Sequence, residues 1–477
     1  MTPTNVKTRF APSPTGRMHL GNLRTALFNA LLARSRGGRF LLRLEDTDES
    51  RSSGAHAQTL MADLRWMGLH WDEGPEAGGE AGPYHQSERG AVYERYYRAL
   101  EAADQAYPCF CTERELELSR KAQRAAGKPP RYAGTCAHLT AEERERRRAE
   151  GRRPTLRFRV PAEETVVFHD LVRGEQRFPT DEIGDFIIRR ADGTAAFFFC
   201  NAVDDALMGV SHVLRGEDHL TNTPRQLLLL RALDLPQPEY GHINLITGDD
   251  GAPLSKRNGS LSVAELREAG WLPEAVLNYL ARLGHHYTGE VESQLLDLQG
   301  LADAFRTDAL GRAPARFDRH QLSHWQQLAV HRADEATLAP WLERLDDAVP
   351  ADRRRALLAA VRDNILFPDD LAAWGQRVFG PLPALAPDTE AVIRDAGPAF
   401  YEAALAELET TAGDFPALAK AVRKATGAKG RQLFMPLRAA LTGLCRGPEL
   451  GPVYALMPVD IARCRLEQAR ELAATTP

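Results

Sequence analysis

The sequence predicts an α/β protein built on a parallel sheet, with an α+β insertion in that sheet and an all-helical region after it. Three observations predict this. A β-rich run, a glycine- and proline-rich loop, a helical stretch and a second strand follow one another within residues 6–44, the order of a βαβ unit. From Thr155 to Arg190 the pattern turns to apolar–polar alternation, the mark of half-buried strands. Beyond Phe317 helical periodicity runs to the end, broken at Gly380-Pro381-Leu382-Pro383 and Pro387.

Val6 to Ala11 enters a loop that holds Pro12, Pro14, Gly16 and Gly21. Leu23, Ala26, Leu27, Ala30, Leu31 and Arg34 then recur at three- and four-residue spacing, in a helix expected to begin near Asn22. Gly37-Gly38 ends it, and Arg39 to Leu44 reads as the next strand. Gly16 and Gly21 permit close backbone approach, and the free N–H groups of the helix start point back at the loop, so an anion belongs there. The dinucleotide pattern G-x-G-x-x-G is absent. The Walker pattern fits from Gly16 to Gly21, then requires Lys and Ser/Thr where Asn22 and Leu23 stand.

Composition narrows the class. A chain of 477 residues suggests several domains. No apolar run approaches the ~18 residues of a membrane helix, and Met1 to Arg9 lacks the apolar core of a signal peptide. The expectation is a cytoplasmic protein with no membrane partner. A net charge of −5 argues against wholesale coating of nucleic acid and leaves local patches for any such contact. Six cysteines in a chain this long do not make a disulfide scaffold.

The remaining elements follow in order. Glu45-Asp46-Thr47-Asp48 is an acidic cluster at a strand's carboxyl end, the edge where open α/β sheets bind ligands. Val92, Tyr93, Tyr96, Tyr97 and Leu100 share one side of a helix, a spacing that makes these aromatics core. Cys109-Phe110-Cys111 and Cys136-Ala137-His138 offer three thiols and an imidazole, the donor set of a structural Cys₃His zinc site. Thr112-x-x-Glu115 and Thr140-x-x-Glu143 are capping boxes, which put both ligand pairs just before helix N-termini. Positive helix ends favour the thiolate that a metal needs. The two charged helices that follow read as solvated faces.

Leu156 to Val160, Val166 to Phe168 and Phe186 to Arg190 read as strands finishing the insertion, and Thr194 to Val203 is expected to return to the parallel sheet. Gly216-Glu217-Asp218-His219 precedes a helix that Thr223-Pro224 is expected to cap. Val263 to Leu283 reads as helical and amphipathic. Between Asp414 and Glu449 there is no acidic residue, whereas Lys420, Arg423, Lys424, Lys429, Arg431, Arg438 and Arg446 are basic. Such a run in a net-negative chain is a candidate RNA face, a solvated basic helix pair being the competing reading.

Two stretches carry a family resemblance. His19-Leu20-Gly21-Asn22, preceded by Pro12-Ser13-Pro14-Thr15-Gly16, resembles the "HIGH" signature of class I aminoacyl-tRNA synthetases of the glutamyl and glutaminyl branch. Leu254-Ser255-Lys256-Arg257, inside Gly251 to Gly259, resembles the "KMSKS" loop of the same class, whose lysine supplies a compact cation to a polyphosphate. Along essentially its whole length the chain resembles bacterial glutamyl-tRNA synthetases.

The resemblance implies a Rossmann-like catalytic domain in two parts, residues 1–104 and 191–245, around an acceptor-binding insertion at 105–190. It further implies a stem-contact region with the mobile LSKR loop at 246–311 and two helical anticodon-binding subdomains at 312–380 and 381–477. It assigns chemistry to His19 and Lys256, and ATP to Gly16, His19, Gly21, Asn22, Ser255, Lys256 and Arg257. Glutamate falls to Arg9, Ala11, Ser13, Glu45, Phe197, Asn201 and Arg215, with Glu45 on the α-ammonium and Arg215 on the γ-carboxylate. A tRNA face would use Lys420, Arg423, Lys424, Lys429, Arg431 and Arg438. ATP with Mg²⁺, a structural Zn²⁺ on Cys109, Cys111, Cys136 and His138, L-glutamate and tRNA(Glu) are the implied ligands, acting on a monomer.

Two positions depart from the family pattern: Phe197 where tyrosine is usual, and Pro253 where the mobile loop often carries its first lysine. Alternatives are an enzyme that also or preferentially charges tRNA(Gln), a truncated paralogue against which residues 310–477 argue, and an inactive tRNA-binding protein.

Overall fold

The computed structural model describes residues 6–47, 54–127, 129–254 and 261–475. The chain divides into two compact units, residues 1–266 with 276–319, and residues 267–275 with 320–477. Among the described residues no helix is long and apolar enough to cross a membrane.

The first unit carries β1 (Lys7–Phe10), β2 (Arg39–Leu42), β3 (Ala106–Cys109), β4 (Thr155–Phe158), β5 (Thr165–Asp170), β6 (Gly174–Pro179), β7 (Phe186–Arg189), β8 (His212–Gly216), β9 (Glu239–Ile243), β10 (Ile246–Thr247) and β11 (Ala315–Arg316). Strands β2, β1, β8 and β9, in that order, form a parallel sheet. Everything between β2 and β8 is inserted into it. There β3, β4 and β7 form an antiparallel sheet, and β5 pairs with β6 as a hairpin. The hairpin docks on the parallel sheet, where Leu171 N–H donates to the Tyr240 carbonyl at 2.9 Å.

The helix after β1 starts at Leu20, two residues ahead of expectation, with His19 as its N-cap. It is buried nearly all round, because the sheet lies under one side and the helix Leu298–Asp303 over another. Its one buried amide joins it to the strands: Asn29 donates to the Leu214 carbonyl at 2.9 Å, and Thr8 donates to the Asn29 carbonyl at 2.8 Å. Gly37 takes φ +61° where the helix stops. A Cβ on Gly38 would lie 2.0 Å from the Val6 carbonyl oxygen, so the return to β2 demands glycine.

Ala195 to Val203 differs from expectation. Phe197–Leu207 is a helix, not a strand of the sheet. Its Phe199 ring stacks on Tyr97 with centroids 4.3 Å apart, and Ala202, Val203 and Ala206 bury with it, so packing overrides the strand preference of the aromatics. Tyr93, Tyr97 and Leu100 are core, as their spacing predicts. Val263 to Leu283 is two helices, Val263–Glu268 and Pro273–Arg282, with Gly270 at φ +86° between them.

The second unit is helical. Pro368–Phe379 and Pro387–Ala396 flank the break at Gly380 to Ala386. Tyr401, Leu408, Leu418, Val422, Leu437, Leu441 and Leu466 are buried there. Asp414 caps Phe415–Thr426 by accepting from Ala417 N–H at 2.9 Å, and Gly427 ends that helix in the left-handed conformation.

Candidate functional site

The carboxyl ends of β1, β2, β8 and β9 open into a cavity of about 390 Å³. A ligand of a parallel sheet belongs at this edge. The wall includes Arg9, Ala11, Ser13, Glu45, Phe197, Asn201 and Arg215, the full set of residues that the resemblance assigns to glutamate.

Under this wall lies a buried charge network. Asp205 accepts from Arg43 at 2.7 Å and from Arg9 at 3.3 Å, while Arg43 also donates to Asn201 at 3.0 Å and pairs with Glu45 at 3.5 Å. Burial would raise the Asp205 carboxyl, but the two guanidinium groups outweigh it and hold the carboxylate low. Burial raises Glu45 in spite of Arg43 and Arg9 nearby. A cationic ligand group beside Glu45 would restore its charged form.

Arg215 is buried, and burial pushes its guanidinium down to about 10, still charged at neutral pH. Its Nε donates to His242 Nε2 at 3.1 Å, and one Nη donates to Thr223 Oγ1 and Gln226 Oε1, each at 2.7 Å. The other terminal nitrogen, Nη1, has no hydrogen-bond partner among the described residues. An unpaired cationic donor in a cavity wall suits a carboxylate. Thr223 is the first residue of the helix Thr223–Ala232 rather than its cap, so its hydroxyl is spent on Arg215 and His242. Phe197 stacks on His219 with centroids 5.4 Å apart, and burial pushes His219 down to about 4.

At the other end of the cavity stand Gly21, Asn22 and Thr25, from the first turns of Leu20–Ser35. No acidic residue offsets the positive end of this helix. A Cβ on Gly16 or Gly21 would meet nothing, so no internal contact requires glycine there, and the space is open to a ligand. Gly16 and His19 belong to the same loop but not to the cavity wall. Buried Arg24 fastens the helix start by donating to the carbonyls of Leu283, at 2.9 Å, and Asn244.

The described residues on either side of the second signature reach this neighbourhood. His19 bridges Ser262 in antiparallel fashion, and Val263 N–H donates to the Met18 carbonyl at 3.0 Å. Upstream, Leu254 N–H donates to the Ile246 carbonyl at 2.8 Å. Ser255, Lys256 and Arg257 themselves lie outside the described residues.

The cysteine cluster stands away from the parallel sheet. Ligand atoms of Cys109, Cys111 and Cys136 lie within 4.8 Å of one another. Both capping boxes form, so each pair precedes a helix N-terminus. His138 does not join: it is exposed and outside the cluster. Tyr132 does. Its hydroxyl lies 3.3 Å from Cys109 Sγ and 3.5 Å from Cys111 Sγ, and accepts from Cys136 N–H at 2.9 Å. Arg157 stacks over the Tyr132 ring, and the Cys109 thiol is held down to about 4, first by its hydrogen bond with Cys136 and then by Arg157.

In the second unit Lys420, Arg423, Lys424, Lys429 and Arg431 are exposed. Arg438 is half-buried and donates to the Pro448 carbonyl at 2.6 Å, so it also serves the fold. Phe434, 49% exposed on the same helix as Arg431, adds an aromatic surface between the charges.

Several residues that build the surroundings of Arg215 were invisible in the sequence. Asp170, Thr223, Gln226 and His242 converge on Arg215 from three separate stretches, and a lone histidine in an apolar strand gives no signal of it. Only the spacing of Thr223 and Gln226 on one helical turn was there to be read.

Comparison with known proteins completes the description. Residues 5–324 match the tRNA synthetases class I (E and Q), catalytic domain, and residues 335–470 match the anticodon binding domain. The chain is 61% identical over 474 residues to a glutamate–tRNA ligase of Halorhodospira halophila, covering 99% of this chain and 98% of the relative. It is 58% identical over 468 residues to a glutamate–tRNA ligase of Nitrosococcus oceani, covering 98% of each. The crystal structure of a glutamate-tRNA synthetase from Elizabethkingia anophelis superposes with a TM-score of 0.86 at 26% identity, covering 98% of this chain and 100% of that one.

Proposed function

The chain belongs to the class I tRNA synthetases of the E and Q type, and on that footing we propose how its residues divide the work of a glutamate–tRNA ligase. The activity is ATP-dependent attachment of glutamate to tRNA. The glutamate α-carboxylate attacks the α-phosphorus of ATP, forming a P–O bond as pyrophosphate leaves. A terminal hydroxyl of tRNA(Glu) then attacks the activated carbonyl carbon, and AMP leaves. The substrates supply both nucleophiles, so the protein contributes position and charge.

Arg215 takes the γ-carboxylate and Glu45 the α-ammonium, with Arg9, Ala11, Ser13, Phe197 and Asn201 shaping the remaining wall. His19, the helix start at Gly21 and Asn22, and Lys256 with Ser255 and Arg257 face the phosphates, with Gly16 leaving them room. Mg²⁺ bound with ATP shares the phosphate charge. The single observation that carries the amino-acid assignment is Arg215 Nη1, buried and unpaired in a cavity that also holds Glu45.

The test is ATP–pyrophosphate exchange with glutamate or glutamine, run with and without tRNA, followed by charging of separately purified tRNA(Glu) and tRNA(Gln). Exchange confined to glutamate and charging of tRNA(Glu) are expected; exchange with glutamine would overturn the role of Arg215. Lys256→Ala is expected to slow exchange by about 100-fold or more with little change in the KM for glutamate, the size of effect seen when one preorganised charge is removed from a transition state. Equal losses in rate and glutamate affinity would remove Lys256 from the chemistry.

The cysteine cluster fits a structural zinc held by Cys109, Cys111 and Cys136, with the Tyr132 hydroxyl placed better than His138 for the fourth position. Elemental analysis is expected to find one zinc per chain. Tyr132→Phe should speed its loss to a chelator and His138→Ala should not; the opposite ranking would return the fourth position to His138. The exposed basic face around Lys420, Arg423, Lys424, Lys429 and Arg431, with Phe434 among them, supports phosphate contact and base stacking by the anticodon arm of tRNA.

A further inference from the structure

We propose that Asp170 and His242 are positioning residues that set the orientation of the Arg215 guanidinium by fixing one tautomer of the imidazole between them. The proposal rests on the reading that Arg215 holds the substrate's γ-carboxylate. It assigns roles to two residues that never reach the cavity wall.

The hydrogen bonds allow one arrangement of protons. Arg215 Nε carries a hydrogen and can only donate, so His242 Nε2, 3.1 Å away, must present its lone pair. Thr223 Oγ1 accepts from Arg215 at 2.7 Å and lies 3.0 Å from the same His242 Nε2, whose lone pair its hydroxyl then shares with Arg215 Nε. The imidazole proton therefore sits on Nδ1, where Asp170 Oδ2 accepts it at 2.5 Å. The carboxylate cannot rotate away. Its Oδ1 already accepts the backbone N–H groups of Arg173 at 2.8 Å, Val172 at 2.9 Å and His242 at 3.2 Å. Asp170 and His242 are both fully buried, so water does not compete for these bonds.

The consequence lies at Arg215. With Nε on His242 and one terminal nitrogen on Thr223 and Gln226, the planar fork has a single orientation, and Nη1 is the donor left over. Asp170 belongs to the β5–β6 hairpin, so a residue of the insertion orients the side chain that reads the substrate in the parallel sheet.

The experiment uses the full chain and steady-state ATP–pyrophosphate exchange in the presence of tRNA(Glu), reading the KM for glutamate and for ATP, with thermal unfolding as the control for folding. In Asp170→Asn the three backbone donors keep the amide oxygen, so the amide NH₂ faces Nδ1. The ring proton then moves to Nε2, opposite the hydrogen on Arg215 Nε. The expected result is a KM for glutamate raised about tenfold or more with the KM for ATP unchanged, the effect of opposing two buried donors. His242→Asn, which keeps a donor for Asp170 and removes the acceptor for Arg215, should behave alike. His242→Gln, whose amide oxygen can take the place of Nε2, should recover most of the loss. A merely structural role would lower the unfolding temperature and move both KM values, without rescue by glutamine. The proposal is overturned if Asp170→Asn and His242→Asn leave the KM for glutamate unchanged while Arg215→Ala raises it. If Arg215→Ala leaves it unchanged too, the underlying reading of Arg215 falls first.

Discussion

Arg215→Ala is expected to raise the KM for glutamate by about 30-fold or more, since truncating one partner of a buried charge pair costs about 2–5 kcal/mol and each 1.4 kcal/mol is a factor of ten. The loss has two parts. The substrate γ-carboxylate loses the guanidinium proposed to meet it. Gln226 Oε1 is left buried without its donor, and His242 Nε2 keeps only the Thr223 hydroxyl. Glutamine should respond differently. Its amide brings two hydrogens that clash with the donors of Arg215, so removing Arg215 relieves a penalty at the same time as it removes a contact. The ratio of kcat/KM for glutamate over glutamine is therefore expected to collapse, while the KM for ATP is expected to hold. Exchange kinetics over a range of each amino acid measure this. A variant that keeps the preference for glutamate would place the discrimination elsewhere in the wall.

The strand–loop–helix–strand unit beside the cavity was legible in the sequence because local rules specify it. Strand, loop, helix and strand are each written in spacing and in Gly37-Gly38, and the helix start was off by only two residues, since an N-cap at His19 has no Ser, Thr, Asp or Asn to announce it. The two capping boxes formed for the same reason: each is a contact between residues three apart. Legibility ended where distant stretches meet. Cys136-Ala137-His138 looked like a ligand pair, yet Tyr132 lies against the thiols and His138 faces solvent. Spacing alone cannot say which side chain a loop turns inward. Thr194 to Val203 was expected to return to the parallel sheet, and from Phe197 it is a helix because Phe199 and Val203 find a core at helical spacing. The surroundings of Arg215 were out of reach beyond the spacing of Thr223 and Gln226, being assembled from Asp170, Thr223, Gln226 and His242 across the insertion, the helix Thr223–Ala232 and strand β9.

The largest loss of stability is expected at Asp205. Its carboxylate is fully buried and accepts from Arg43 at 2.7 Å and Arg9 at 3.3 Å, with Arg43 also fully buried. Asp205→Ala leaves two guanidinium groups in the interior with one carboxylate, Glu45, 3.5 Å from Arg43, and breaking such a buried pair costs about 3–5 kcal/mol. That is a large part of the stability of an ordinary domain, about 5–15 kcal/mol. Asp205→Asn keeps the shape and one accepting oxygen and should lose less. The pH dependence follows from the direction of the shift. The folded carboxyl is held below its unfolded value, so its contribution is complete above the unfolded value of about 3.9 and fades as the pH falls through the folded one. The stability gap between the wild type and Asp205→Ala, measured by urea unfolding, should accordingly stay constant from neutral pH to about pH 5 and narrow below about pH 4. A gap that widened on acidification would mean that the carboxylate is not what holds Arg9 and Arg43 in place. Because Arg9 lines the cavity and Arg43 does not, the same variant should also weaken glutamate binding, which ties the stability of the buried network to the amino-acid site above it.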